Sequence, residues 1–272
     1  MAFNVLIISR ALRTLWTDGF YRTFLFTIRF ISWKIDYHRR VGQLPSRVAR
    51  IFFYITKKWV HLINKIGRLL NENEYTDADP YKTIYVNPNE IQLETSTAAR
   101  RRGWVEDGTW DEEGDTFMNR TYPRAIEQRY RENIPWKKTV LVSKYDDEEE
   151  FEQRCIEIEQ LYNSIQNQGY RSQKQLLEDS PEFAWNGLND VMHPSVNEIA
   201  VDIGRNGELL WNMCGQHRLA VAKVLEIDKI CVQVLRRHKQ WQFIRNQIRK
   251  GHSIPEDITN HPDIQDIKWK NI

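Results

Sequence analysis

The stretch "NMCGQHRLAVAKVLEID", residues 212–228, holds the side chains whose types and spacing could do chemistry: Gly215, Gln216, His217 and Arg218. An alternating apolar run precedes them and a nearly all-apolar run follows, so the chain is expected to turn at Gly215 from a strand into a helix. The first N–H groups and the dipole of a helix attract anions. Gly215 lets the backbone approach a ligand closely, Arg218 can grip two oxygens at once, and His217 can donate or shuttle a proton near neutral pH. Cys214 reads as a small buried filler, since nothing around it marks a reactive thiolate. Glu90, just after the first apolar strand, is the acid to nominate as a base if there is catalysis, with surface solvation as its plainer role. The acids of "RRRGWVEDGTWDEEGDTF", residues 100–117, lack the glycine and terminal glutamate spacing of a calcium loop and read as a solvated acidic loop, with no metal expected.

These residues need positioning elements, and the pattern supplies them. "YKTIYVNPNEIQ" (81–92) reads as a short strand ended by Asn87 and Pro88. A helix is expected from Pro123 to about Asn133. A second has Cys155, Ile158, Leu161, Tyr162 and Ile165 on one face and stops at Gly169. Ile199, Val201 and Ile203 alternate up to Asn206-Gly207, and Leu209, Trp211 and Met213 alternate after it, which predicts a hairpin with a tight turn. "KICVQVLRRH" then gives a closing strand. Strand, helix and strand imply a parallel crossover, with the 214–218 turn outside the carboxyl ends of the strands.

Charge divides the chain. Of 39 Lys and Arg and 37 Asp and Glu, residues 1–71 hold 13 and 2, a balance of +11, which leaves 26 and 35, or −9, for residues 72–272. Within this basic arm Val48, Phe52, Ile55, Trp59, Leu62, Ile66 and Leu69 recur in steps of four and three, one apolar stripe if helical. "RTFLFTIRFISWKIDYHRR" before it is also aromatic and basic. Such an arm suits a partner helix or an anionic membrane surface, and DNA less well, because the basic residues flank apolar faces. No run approaches the roughly 18 uncharged apolar residues of a membrane-spanning helix. Three separated cysteines point to a reducing, intracellular compartment, cytoplasmic or membrane-peripheral, and a cleaved signal is not expected.

The series "LYNSIQNQG", the hairpin, then "GQHRLAVAKVLEIDKICVQVL" resembles the ParB N-terminal/sulfiredoxin superfamily. The resemblance covers residues 156–238 well and 84–92 weakly, and the whole chain is similar to uncharacterised archaeal ParB-like proteins. It implies an α/β fold with a small mixed sheet and packed helices at 77–238, carrying an acidic insert at 93–155. The basic amphipathic arm (1–71) precedes this body and a C-terminal helix with a peripheral tail (239–272) follows. It also implies nucleotide or phosphate binding at Gly215, Gln216, His217 and Arg218, with ATP, ADP or CTP and magnesium as the expected ligands and phosphoryl transfer as a reaction such a site could support. Three departures narrow the activity. Gln216 stands where sulfiredoxins carry their reactive cysteine, Gln216 and His217 replace the acidic and arginine pattern of CTP-binding partitioning proteins, and Cys214 replaces the aspartate of the free-serine kinases. A non-catalytic adaptor and a DNA-binding protein stay open beside the nucleotide reading.

Overall fold

The computed structural model describes residues 46–97, 102–179, 197–252, 258 and 260–267. Expectations for residues 1–45, including the first aromatic basic stretch, lie outside these. The described chain is mixed α/β: helices α1 (Ser46–Leu70), α2 (Thr121–Tyr130), α3 (Glu148–Gln168), α4 (Gln173–Asp179), α5 (Gln216–Val224) and α6 (Lys239–Arg249), and strands β1 (Thr83–Val86), β2 (Trp104–Glu106), β3 (Ile199–Ile203), β4 (Leu209–Trp211) and β5 (Ile230–His238).

β5 is the centre of the sheet, and all nine of its residues are buried. Along one edge its first half pairs antiparallel with β1 (Thr83 opposite Gln233) and its last three residues pair parallel with β2. The other edge takes β3 in parallel, Ile199 opposite Val232, and β4 closes the sheet antiparallel to β3. The hairpin is therefore present, but its connection is the five residues 204–208, with positive φ at Gly207 and none at Asn206. A second expectation is corrected. β4 runs opposite to β5 with β3 between them, so the parallel partner of β5 is β3, and the chain leaving β4 emerges at the amino end of β3, not outside the carboxyl ends.

α3 follows its sequence signals. Asp147 accepts from the N–H groups of Glu149 (2.8 Å) and Glu150 (3.1 Å), three acids fill the first turn, and Gly169 stops the helix at φ 75°. Cys155, Ile158 and Ile165 are buried, and Leu161 and Tyr162 pack against the core at its margin.

The region read as an acidic insert is instead part of the core. Phe117, Ala125, Ile126, Leu141, Phe151, Cys155 and Ile158 join Leu219–Ala222 of α5 and the sheet in one hydrophobic cluster, because α2 and α3 cover α5. Residues 104–106 form a strand, and Asp111 is buried with both carboxylate oxygens on Arg205, at 2.8 and 2.9 Å, so it is no solvated loop acid. The tail is not peripheral either. Ile264 and Ile267 are in the same cluster, and the buried Asp263 accepts from Arg237 at 2.6 and 2.8 Å and from Trp241 at 3.0 Å. Arg245 adds bonds to Asp77 and to the Asp263 carbonyl, tying α6 and the chain before β1 to this centre.

Candidate functional site

The expected anion turn forms at the start of α5. Gly215 is its N-cap in the left-handed region (φ 75°, ψ 24°), and a Cβ there would lie 2.7 Å from Ile199 Cγ1 and 2.8 Å from Ile199 Cα. Only glycine fits both the backbone and the space. Among the described residues no side chain caps the helix, and the Leu219 N–H is the first to bond back, to the Gly215 carbonyl at 2.9 Å. The amide N–H groups of Gln216, His217 and Arg218 are thus the uncapped donors of this helix end. Just before them, Met213 has φ 55° and the Cys214 N–H bonds the Asn212 carbonyl at 2.6 Å, a three-residue turn that leaves the Met213 side chain about half exposed.

The Arg218 side chain is spent inside the protein. Its Nη1 lies 3.2 Å from Glu198 Oε2 and its Nη2 donates to the Asn197 carbonyl, with the two side chains 11% and 2% exposed. Glu198 also accepts from the Gln173 N–H at 2.6 Å. Burial raises the Glu198 pKa above its usual range despite Arg218 and these bonds, and Tyr170 and Glu198 keep the Arg218 guanidinium firmly protonated against its own desolvation. What Arg218 offers at the helix end is its backbone N–H.

His217 is placed on the opposite flank of the turn. Its ring meets Tyr122 edge-on, centroids 4.5 Å apart. Burial, with the nearby Arg154 charge, pushes its pKa down to about 4, so the imidazole is neutral at pH 7. Tyr122 and Tyr145 share a hydroxyl hydrogen bond of 2.6 Å, the Arg154 Nε donates to Tyr145 at 3.3 Å, and the Lys144 ammonium stands 5.4 Å from the Tyr122 ring centre. Burial and the Tyr145 hydroxyl push the Tyr122 phenol up to about 12, with Glu150 adding to the rise, and of the two cations at this aromatic wall Arg154 is paired with Glu157 at 2.7 Å.

Of the residues nominated from sequence, 215–218 are contiguous by construction, and Glu90 is nearby but separate. It ends the short turn Pro88–Glu90 that packs on α5, is exposed, and has no hydrogen bond or ion pair to residues 215–218. None of Cys155, Cys214 and Cys231 is in a disulfide, and burial pushes Cys155 up to about 11 and Cys231 up to about 12. Among the described residues no group of three His, Cys, Asp or Glu side chains could hold a metal ion. Tyr122, Lys144, Tyr145 and Arg154 were not nominated from sequence. Arg154 carried a signal, since Phe151, Arg154, Ile158, Leu161 and Ile165 follow the three- and four-residue steps of the core-facing side of α3. Comparison with known proteins gives no further lead: neither a family model, a curated protein nor a solved structure matches the chain.

Proposed function

We propose that the chain binds a phosphate group, carried by a nucleotide or another phosphate ester, at the amino end of α5. The observation that carries this reading is the helix end itself. Three amide donors start at a glycine that has no room for a side chain, no group among the described residues caps them, and Lys144 stands at the adjacent wall beside Arg154, which Glu157 pairs. In this reading phosphate oxygens accept from the N–H groups of Gln216, His217 and Arg218. The half-exposed Met213 offers apolar contact to the rest of the ligand. In the free protein His217 is neutral at pH 7, its pKa being held at about 4, and a bound phosphate would raise that value. Helix α3 ending at Gly169, the β3–β4 hairpin, the Gly-x-His-Arg turn and β5 stand in the order of the ParB-like pattern, which supports the nucleotide class. The reading is one of binding. Phosphoryl transfer would add a base, and Glu90 is the exposed acid beside α5.

Calorimetric titration of the full chain with ATP, ADP and CTP, with and without magnesium, tests this. At least one should bind with Kd below about 1 mM. Lys144→Ala, an exposed position, should weaken that binding about fivefold, the size of a solvated charge contact, without changing the melting temperature. If no nucleotide binds in either condition, the nucleotide reading is wrong.

A further inference from the structure

α1 presents an apolar face that the body does not cover. Ile55, Trp59, Leu62, Ile66 and Leu69 are 47, 45, 46, 47 and 80% exposed, and they recur in steps of four and three over the last four turns of the helix. The opposite side is seated on the body. The Asn64 Nδ2 donates to the Gly103 carbonyl at 3.0 Å from a buried position, and the Arg68 Nη2 reaches Asn246 on α6 at 3.2 Å. Gly67 sits so close to Tyr75 that a Cβ would lie 2.4 Å from the ring, which explains a glycine inside a helix. At about 100° per residue the stripe is centred nearly diametrically across the helix from Asn64. The body therefore holds α1 from behind and aims its apolar face outward, as a helix already formed.

The charges on α1 decide what could cover that face. The helix carries Arg47, Arg50, Lys57, Lys58, Lys65 and Arg68 and no acid, a balance of +6. Lys58 and Lys65 are exposed and fall along one border of the stripe, with Tyr54, 60% exposed, beside Lys58. A second copy of α1 would bring +6 against +6. The first 45 residues of this chain are also basic, since +11 for residues 1–71 less +6 leaves +5. An anionic bilayer meets both demands together, with headgroups for the lysines and the acyl boundary for Ile55, Leu62 and Ile66. No described helix is long and apolar enough to cross a membrane, so contact is in the plane of the surface. We infer that α1 is a preformed platform that seats the protein on an anionic phospholipid surface through the Ile55–Leu69 stripe. This stands apart from the phosphate site on α5 and survives if that site fails.

The test is sedimentation of the full chain with vesicles of phosphatidylcholine alone and of phosphatidylcholine mixed with phosphatidylserine. The protein should pellet with the mixed vesicles, stay in solution with the neutral ones, and be released by added salt. Leu62→Glu with Ile66→Glu should abolish pelleting while circular dichroism and melting temperature stay as in wild type, because both side chains are already half in water. Lys58→Ala with Lys65→Ala should lower partitioning about twentyfold, roughly a factor of five for each cation near the surface. Three results would overturn the inference: no pelleting with either vesicle, pelleting of the Leu62→Glu, Ile66→Glu protein like wild type, or a lipid-independent dimer by light scattering that this double substitution dissolves. The last would assign the stripe to a second copy of α1.

Discussion

Arg218→Ala separates a structural arginine from a ligand-gripping one, and the geometry sets the size of the effect. The substitution removes the Nη1 contact to Glu198 at 3.2 Å and the donation to the Asn197 carbonyl, and leaves a carboxylate 2% exposed with one fewer cation. Breaking one side of a buried ion pair costs about 3–5 kcal/mol, and for a chain of this size each kcal/mol lowers the melting temperature by about 2–4 °C, so a fall of about 6–20 °C is expected. Nucleotide affinity of the protein still folded should change little, since the backbone N–H at 218 remains. The pH dependence has a definite sign. The folded pKa of Glu198 is already raised, and losing Arg218 raises it further, so in the variant the folded state binds the extra proton. Stability from that proton is fully present below the unfolded pKa and is lost as pH rises through the folded one. The Arg218→Ala deficit should accordingly shrink on acidification from pH 7.5. Glu198→Gln added to Arg218→Ala should restore part of the loss, and urea titrations of the two single variants and the double give the coupling. An Arg218→Ala protein that melts with wild type yet binds nucleotide ten- to hundredfold more weakly, the size of a lost charge-assisted bond, would refute the reasoning and return Arg218 to the ligand.

Asp263→Asn should destabilise the protein by about 3–5 kcal/mol or prevent folding, read by urea denaturation, because Arg237, Arg245 and Lys82 converge on one fully buried carboxylate. His217, whose folded pKa is about 4 against 6.5 when free, contributes stability that is present above pH 6.5 and lost as pH falls through 4. A shift of that size is worth at most about 3 kcal/mol, and His217→Leu should flatten the fall in urea midpoint between pH 7 and pH 4.

Elements with local signals were legible in the sequence. The alternation either side of residues 204–208 gave β3 and β4, the Gly169 stop closed α3, and the apolar run after Gly215 became α5. The glycine at the turn was legible as well, because a strand entering a helix needs a residue that tolerates φ 75°. Strand direction was misread for a physical reason. Periodicity reports which face of a strand is buried and says nothing of its neighbour, so β3 between β4 and β5 could not be seen. The acidic loop and the tail failed for a related reason. Asp111 meets Arg205 across 94 positions and Lys82 meets Asp263 across 181, so residues that look solvated by type become buried by pairing. Composition averages over such pairs and hides them.

The same pairing decides which cations can serve an outside ligand. Arg218, Arg236, Arg237 and Arg245 are held by Glu198, Asp202, Asp263 and Asp77, each at 3.2 Å or less. A buried guanidinium held this way is costly to withdraw, so these four arginines fix the sheet and its edges and recruit nothing. The conspicuous Arg218 is therefore a poor guide to the site it sits in. Lys58, Lys65 and Lys144 are exposed, and no carboxylate among the described residues forms an ion pair with them. Two of these lysines border the α1 stripe and one stands at the wall of the α5 turn. These four arginines are thus committed to acids of the fold, while Lys58, Lys65 and Lys144 remain open to the two anion surfaces proposed above.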